Sequence, residues 1–191
     1  MKYHVLRKTL VFDVDGVLAE FCYDFTCLAA DLRLVQYPWY GSEQANWRFN
    51  FNVDKVWREV DQTPDFWYHL PTLCNDADFD AMHEAAKDYN IFYITGRQGD
   101  SAAEQTVKWL KGYGFPQGAL FLSEPKTDKL PIILPHRHSI VGVLEDKPDI
   151  VIKLRAENIP TTARLWKYTE HLASPVATSV KEFIYAVDEG H

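Results

Sequence analysis

Two aspartates separated by one residue, Asp13 and Asp15, close the apolar run Thr9-Leu10-Val11-Phe12 and are followed at once by Gly16. Such a run reads as a buried strand. Side chains at i and i+2 of a strand leave on the same side, so both carboxylates point one way where the strand ends. Gly16 lets the backbone turn sharply there. Acids this close repel unless a cation sits between them or one of them holds a proton. The pair therefore implies metal binding or acid/base work. Its bland counterpart is a strand end capped by two solvated aspartates.

The elements that must position the pair repeat its pattern. Apolar runs at 91–94, 119–122 and 140–144 end at Thr95-Gly96-Arg97, Ser123 and Glu145-Asp146 respectively, and a weaker run lies at 163–166. Helical patterns separate them. One covers 78–89, with Phe79, Met82, Ala85 and Ala86 on one face. Another covers 101–111, opening on Ser101-x-x-Glu104 as a capping box, with Val107, Leu110 and Trp109 inward, and stopping at Gly112 and Gly114. A third covers 147–158 with Pro148 in its first turn, and a fourth 179–187. Strands alternating with helices predict an α/β, Rossmann-like core, with a parallel sheet covered by helices on both faces. Ligands in such folds sit at the carboxyl ends of the strands. Asp13, Asp15, Thr95, Ser123, Glu145 and Asp146 all fall there, and it is this shared placement that is informative.

Residues 19–76 break the alternation and are rich in aromatics, among them Phe21, Phe25, Tyr37, Trp39, Tyr40, Trp47, Phe49, Phe51, Trp57, Phe66 and Trp67. The expected organisation is a core of residues 1–18 and 77–191 with a mostly helical cap subdomain, 19–76, inserted after the first strand. The chain has 191 residues, a formal net charge of -7 and 47% hydrophobic residues, enough for a sizeable core. The acidic balance argues against non-specific nucleic-acid binding, which rests on phosphate neutralisation by Lys and Arg. Three cysteines, Cys22, Cys27 and Cys74, do not make a disulfide framework. The basic segment 1–10 lacks the apolar run of a signal peptide, and no stretch reaches the ~18 apolar residues of a membrane span. A cytoplasmic protein is expected. His136-Arg137-His138 precedes the fourth run and reads as a polar loop away from the site.

The stretch Asp13-Val14-Asp15-Gly16-Val17-Leu18 resembles the first motif of the haloacid dehalogenase (HAD) superfamily. Further resemblances follow in order: Thr95 to the second motif, Lys129 to the third-motif lysine, with Lys126 the alternative, and Glu145-Asp146 to the acidic fourth motif. The resemblance implies a magnesium-dependent phosphatase. Asp13 would be nucleophile and metal ligand. Asp15 would be general acid/base, with its backbone carbonyl on the metal. Thr95 and Lys129 would hold the phosphoryl group, and Glu145 and Asp146 would complete the Mg2+ site. Gly96, beside Thr95, would bind substrate, and Arg97, which follows it, either reaches a substrate phosphate or serves as a helix-capping or surface arginine. The fourth motif reads Glu-Asp where many relatives read Asp-Asp, which puts direct ligation by Glu145 in doubt. Superfamily dehalogenases lack the second acid, so Asp15 argues for phosphoenzyme hydrolysis; phosphomutases keep it, which leaves mutase chemistry open.

Pro64-Asp65-Phe66-Trp67-Tyr68-His69-Leu70-Pro71 together with Tyr93-Ile94-Thr95-Gly96-Arg97 resembles the 5'(3')-deoxyribonucleotidase family, which implies a nucleoside monophosphate as substrate. Aromatics such as Trp47, Phe49, Phe51 and Trp67 would stack on the base, although any one of them is more often subdomain core. Thr95-Gly96-Arg97, Thr106-x-x-Trp109-Leu110 and the stretch 145–166 also resemble polynucleotide kinase-phosphatases, which implies 3'-phosphate removal from nucleic-acid ends. A non-catalytic binding protein on the same fold is the third reading, and a homodimer is compatible with each.

Overall fold

A computed structural model describes residues 7–36, 49–123 and 129–190. Tyr37, Trp39, Tyr40, Trp47 and Lys126 lie outside the described residues. The chain forms an α/β fold around one six-stranded sheet. Its strands are β1 (Thr9–Asp13), β2 (Asn90–Thr95), β3 (Ala119–Leu122), β4 (Ile140–Glu145), β5 (Thr161–Arg164) and β6 (Val176–Ala177). The order is β3-β2-β1-β4-β5-β6, and every neighbouring pair is parallel. β1 is buried along its whole length, as expected of the central strand of a covered parallel sheet. The order reverses at β1, which lies between β2 and β4. Crevices form outside the carboxyl ends of strands at such a point.

Helices α1 (Phe21–Asp31), α2 (Val53–Gln62) and α3 (Phe66–His69) lie between β1 and α4 (Asp76–Asp88). Beyond β2 come α5 (Ala102–Tyr113), α6 (Leu130–Ile133), α7 (Pro148–Ala156) and α8 (Val180–Asp188). α4 starts in a capping box: Asn75 Oδ1 accepts from Asp78 N–H, and Asp78 Oδ2 accepts from Asn75 N–H, both at 3.1 Å. The other oxygen of Asp78 accepts from Lys181 N–H at 2.8 Å, tying α4 to the first turn of α8. α8 packs so closely on β4 that a Cβ on Gly142 would meet Val187 and Phe183 at 2.8 and 2.9 Å. Two apolar clusters result. Val11, Ile94, Ile133, Ile140, Val143, Leu154 and Ile159 form one. The larger contains Leu10, Phe12, Tyr93, Trp109 and Phe183, and runs without a break into Phe21, Phe25, Val56, Val60, Phe66 and Trp67 of the aromatic segment.

Three local expectations change. The fifth strand is Thr161–Arg164 rather than 163–166, because Thr161 and Thr162 pair with Val143 and Leu144 while Trp166 leaves the sheet. Ser101 precedes α5 without a side-chain cap; its hydroxyl accepts from Gln105 Nε2 at 2.7 Å instead. The helix is turned so that Ala102, Gln105, Thr106, Trp109 and Leu110 face inward and Val107 is exposed. Strand β6 is only two residues long, too short to show a periodicity. Among the described residues no helix is long and apolar enough to cross a membrane.

Candidate active site

The carboxyl ends of β1, β2 and β4 bring together Asp13, Asp15, Thr95, Glu145 and Asp146, all buried. Lys129, the residue before α6, joins them. Its ammonium lies 2.7 Å from Asp13 Oδ2 and 2.6 Å from Glu145 Oε2. The second oxygen of Asp13 accepts from Val14 N–H at 2.7 Å, and the second oxygen of Glu145 from Lys147 N–H at 2.9 Å. Both carboxylates are therefore held from two sides, which fixes their orientation.

Asp15 belongs to a second group. Thr95 Oγ1 donates to Asp15 Oδ2 at 2.9 Å. Arg97 Nη2 and Nε donate to Asp15 Oδ1 at 2.9 and 3.0 Å. Arg97 Nη1 donates to Trp67 O at 3.4 Å and Thr106 Oγ1 at 3.2 Å. The guanidinium carbon lies 5.2 Å from the ring centres of both Trp67 and Trp109. The sequence points Arg97 toward a substrate phosphate; in the structure its side chain is wholly buried and engaged by Asp15. Gly96 is half-buried beside Ser123, whose hydroxyl donates to Thr95 O at 3.3 Å.

The segment after β5 supplies two residues that sequence reasoning did not connect to the site. Trp166 Nε1 donates to Gly16 O, and Tyr168 Oη donates to Asp146 Oδ2, each at 2.7 Å. Both contacts span more than twenty residues and leave no local pattern. Gly16 has φ +90 and a Cβ there would fall 2.2 Å from Asp146 Oδ2, so strand β1 must be followed by glycine at this position.

Burial, and then the charge of Glu145, push the Asp13 carboxyl from 3.8 up to about 7, while Lys129 and Lys147 work in the opposite direction. Burial disfavours the Lys129 ammonium, but Asp13 and Glu145 outweigh it and hold the lysine above its ordinary value. The site thus concentrates negative charge that one lysine offsets only in part. Asp13, Glu145 and Asp146 each offer an oxygen, all within 4.8 Å of one another. A buried, all-carboxylate oxygen set fits a hard divalent cation such as Mg2+. By contrast, His136 packs against Phe92 and Phe121 before β4, at the opposite end of the sheet.

No family model matches the chain. No curated protein matches its sequence. Solved structures do match its fold. A haloacid dehalogenase-like family hydrolase from Streptococcus pneumoniae aligns at 11% identity and TM-score 0.65, covering 97% of this chain and 99% of its own. A HAD family hydrolase from Deinococcus radiodurans R1, solved with bound phosphate and sodium, aligns at 15% identity and TM-score 0.62, covering 96% of both chains. A chain of the Pnkp1/Rnl/Hen1 RNA repair complex aligns at 15% identity and TM-score 0.51, covering 85% of this chain and 44% of that one. The fold is the Rossmann-like α/β fold of the HAD hydrolases.

Proposed function

We propose that this chain is a magnesium-dependent phosphomonoesterase that works through an aspartyl-phosphate, with nucleoside monophosphates as its substrate class. The observation that carries the reading is the buried convergence of Asp13, Glu145, Asp146 and Lys129 at the end of β1, with Thr95 and Asp15 beside them. Asp13, the Asp15 carbonyl and Asp146, helped by Glu145, would hold Mg2+, which would supply the neutralisation that lets a dianionic phosphate approach an anionic nucleophile. Asp13 attacks phosphorus, forming the P–O bond to its carboxylate as the ester P–O bond breaks. Asp15, in its protonated form, would give a proton to the leaving oxygen and then take one back from the water that splits the phosphoenzyme. Lys129 balances the charge of Asp13 and of the transferring phosphoryl group, and the Thr95 hydroxyl, which donates to Asp15 here, would hold a phosphoryl oxygen by turning to it.

The substrate class rests on the resemblance of 64–71 and 93–97 to deoxyribonucleotidases, with 19–76 acting as a cap. The described aromatics of that segment pack mainly on one another. Trp67 is 4% exposed and stacks on Phe21 at 5.7 Å; Phe25, Phe49 and Phe51 group together. The ring of Trp67 therefore offers a base no open face. The second reading, removal of 3'-phosphates from nucleic-acid ends, is favoured by the likeness to the RNA repair complex chain, together with the Thr95-Gly96-Arg97 and Thr106-x-x-Trp109 resemblance.

Phosphate release from 5'- and 3'-nucleoside monophosphates, sugar phosphates and 3'-phosphorylated oligonucleotides, with Mg2+ and with EDTA, tests both. Mg2+-dependent turnover of mononucleotides supports the first reading, and turnover confined to oligonucleotides supports the second. No release from any of them overturns the phosphatase reading.

A further inference from the structure

The Arg97 guanidinium stands where two parts of the fold meet. It leaves β2 on the Thr95-Gly96-Arg97 turn, reaches Asp15 at the end of β1, and lies beside Trp109 of α5 and Trp67 of α3. Its surroundings hold it in place. Trp109 is fully buried and its Nε1 donates to Leu70 O at 2.7 Å. Trp67 donates through Nε1 to Gln98 O at 3.0 Å and through its backbone N–H to Gln105 Oε1 at 2.9 Å. Phe21 and Trp57 lie against Trp67 with ring centres 5.7 and 6.2 Å away. Arg97 thus has no slack with which to follow a ligand, and its Nε and Nη2 fork meets one carboxylate. Such a fork fixes direction as well as distance. Among the described residues the other donor to Asp15 is Thr95, which puts this carboxylate next to the hydroxyl that would hold a phosphoryl oxygen.

We infer that Arg97 is a positioning residue for Asp15: clamped by Trp67 and Trp109, it aims the Asp15 carboxyl at the leaving-group oxygen and does not itself bind the substrate phosphate. The inference rests on the phosphomonoesterase reading. It gives the aromatic segment a second task, because the ring that steadies Arg97 comes from α3. Lysine in place of Arg97 keeps the charge and loses the planar fork, so the carboxylate stays neutralised but is no longer aimed.

The test compares Arg97→Lys and Arg97→Ala with the wild-type chain on two esters in Mg2+. Thymidine 5'-monophosphate has an alkoxide leaving group that needs a proton. The nitrophenolate of p-nitrophenyl phosphate leaves without one. Expected for Arg97→Lys is a fall of about 10²-fold in kcat on the nucleotide with KM within about twofold, while the single-turnover nitrophenol burst falls less than about fivefold. In an Asp15→Asn background the same replacement should cost less than about a further twofold, since the two residues then act as one unit. A KM that rises with kcat preserved would make Arg97 a phosphate ligand and overturn the inference. Equal loss with both leaving groups, or full additivity with Asp15→Asn, would reduce it to a structural residue. Arg97→Ala, checked by circular dichroism, should show the same leaving-group split if folded, and Arg97→Lys carries the test if it is not. A wild-type chain that turns over neither ester fails the phosphomonoesterase reading itself, and the inference falls with it.

Discussion

The hydroxyl of Tyr168 donates to Asp146 Oδ2 at 2.7 Å, with both residues buried. One oxygen of the acid is thereby engaged, which fixes the orientation of a carboxylate that brings an oxygen within 4.8 Å of oxygens on Asp13 and Glu145. Partners that orient a ligand in this way typically contribute 10–100-fold to metal affinity. Tyr168→Phe keeps the ring and removes the donor. The expected outcome is Mg2+ binding about tenfold weaker by calorimetric titration, with a normal circular dichroism spectrum. Unchanged affinity would exclude an orienting role for Tyr168.

Gly16 cannot be enlarged. A Cβ would overlap Asp146, and the backbone φ of +90 is one that L residues rarely adopt. Gly16→Ala should abolish turnover and lower stability by about 2 kcal/mol or more, as local strain and displacement of a buried acid combine. Thermal melting and phosphate release measure the two effects separately.

Lys129 is 3% exposed and bridges two carboxylates. Lys129→Met leaves those acids buried without their cation, at a cost of about 3–5 kcal/mol. The loss should be largest in EDTA and partly recovered in Mg2+, because a bound cation replaces part of the missing charge. A melting temperature equal to wild type in EDTA would contradict the charge balance described for the site.

The raised Asp13 carboxyl gives a pH dependence whose sign is fixed. Its ordinary value is 3.8 and its folded value about 7, pushed up first by burial and then by Glu145. Between those values the folded chain holds a proton that the unfolded chain has released. The resulting stability is complete below the lower value and is lost as pH rises through the upper one. Lys129 is also raised and titrates far above this window. In EDTA the melting temperature should therefore fall as pH rises from about 5 to about 8. Asp13→Asn should flatten that slope and abolish turnover with the fold intact. Saturating Mg2+ should restore stability at the upper end. A flat wild-type profile in EDTA would show that Asp13 stays ionised when folded.

The sequence by itself determined the class of fold and which strand ends to inspect. Short apolar runs punctuated by polar residues are local signals, and the chemistry sits where the runs stop. Asp13, Thr95 and Glu145 could be found without knowing which strand lies beside which, since parallel strands expose all their carboxyl ends on one edge. Lys129 was legible only through its motif resemblance, because the residue before a four-residue helix carries no periodicity of its own.

Only the tertiary structure decided how these groups are engaged. The partner of Arg97 is 82 residues away, Trp166 reaches Gly16 across 150, and Tyr168 reaches Asp146 across 22. Sheet order places β1 between β2 and β4, and that neighbourhood, rather than any local preference, brings Arg97 onto Asp15. The aromatic residues make the same point. Their number was plain in the chain, but whether a ring meets solvent or Phe21 depends on helices brought together by burial of a shared apolar surface, a non-directional force that sequence spacing does not encode.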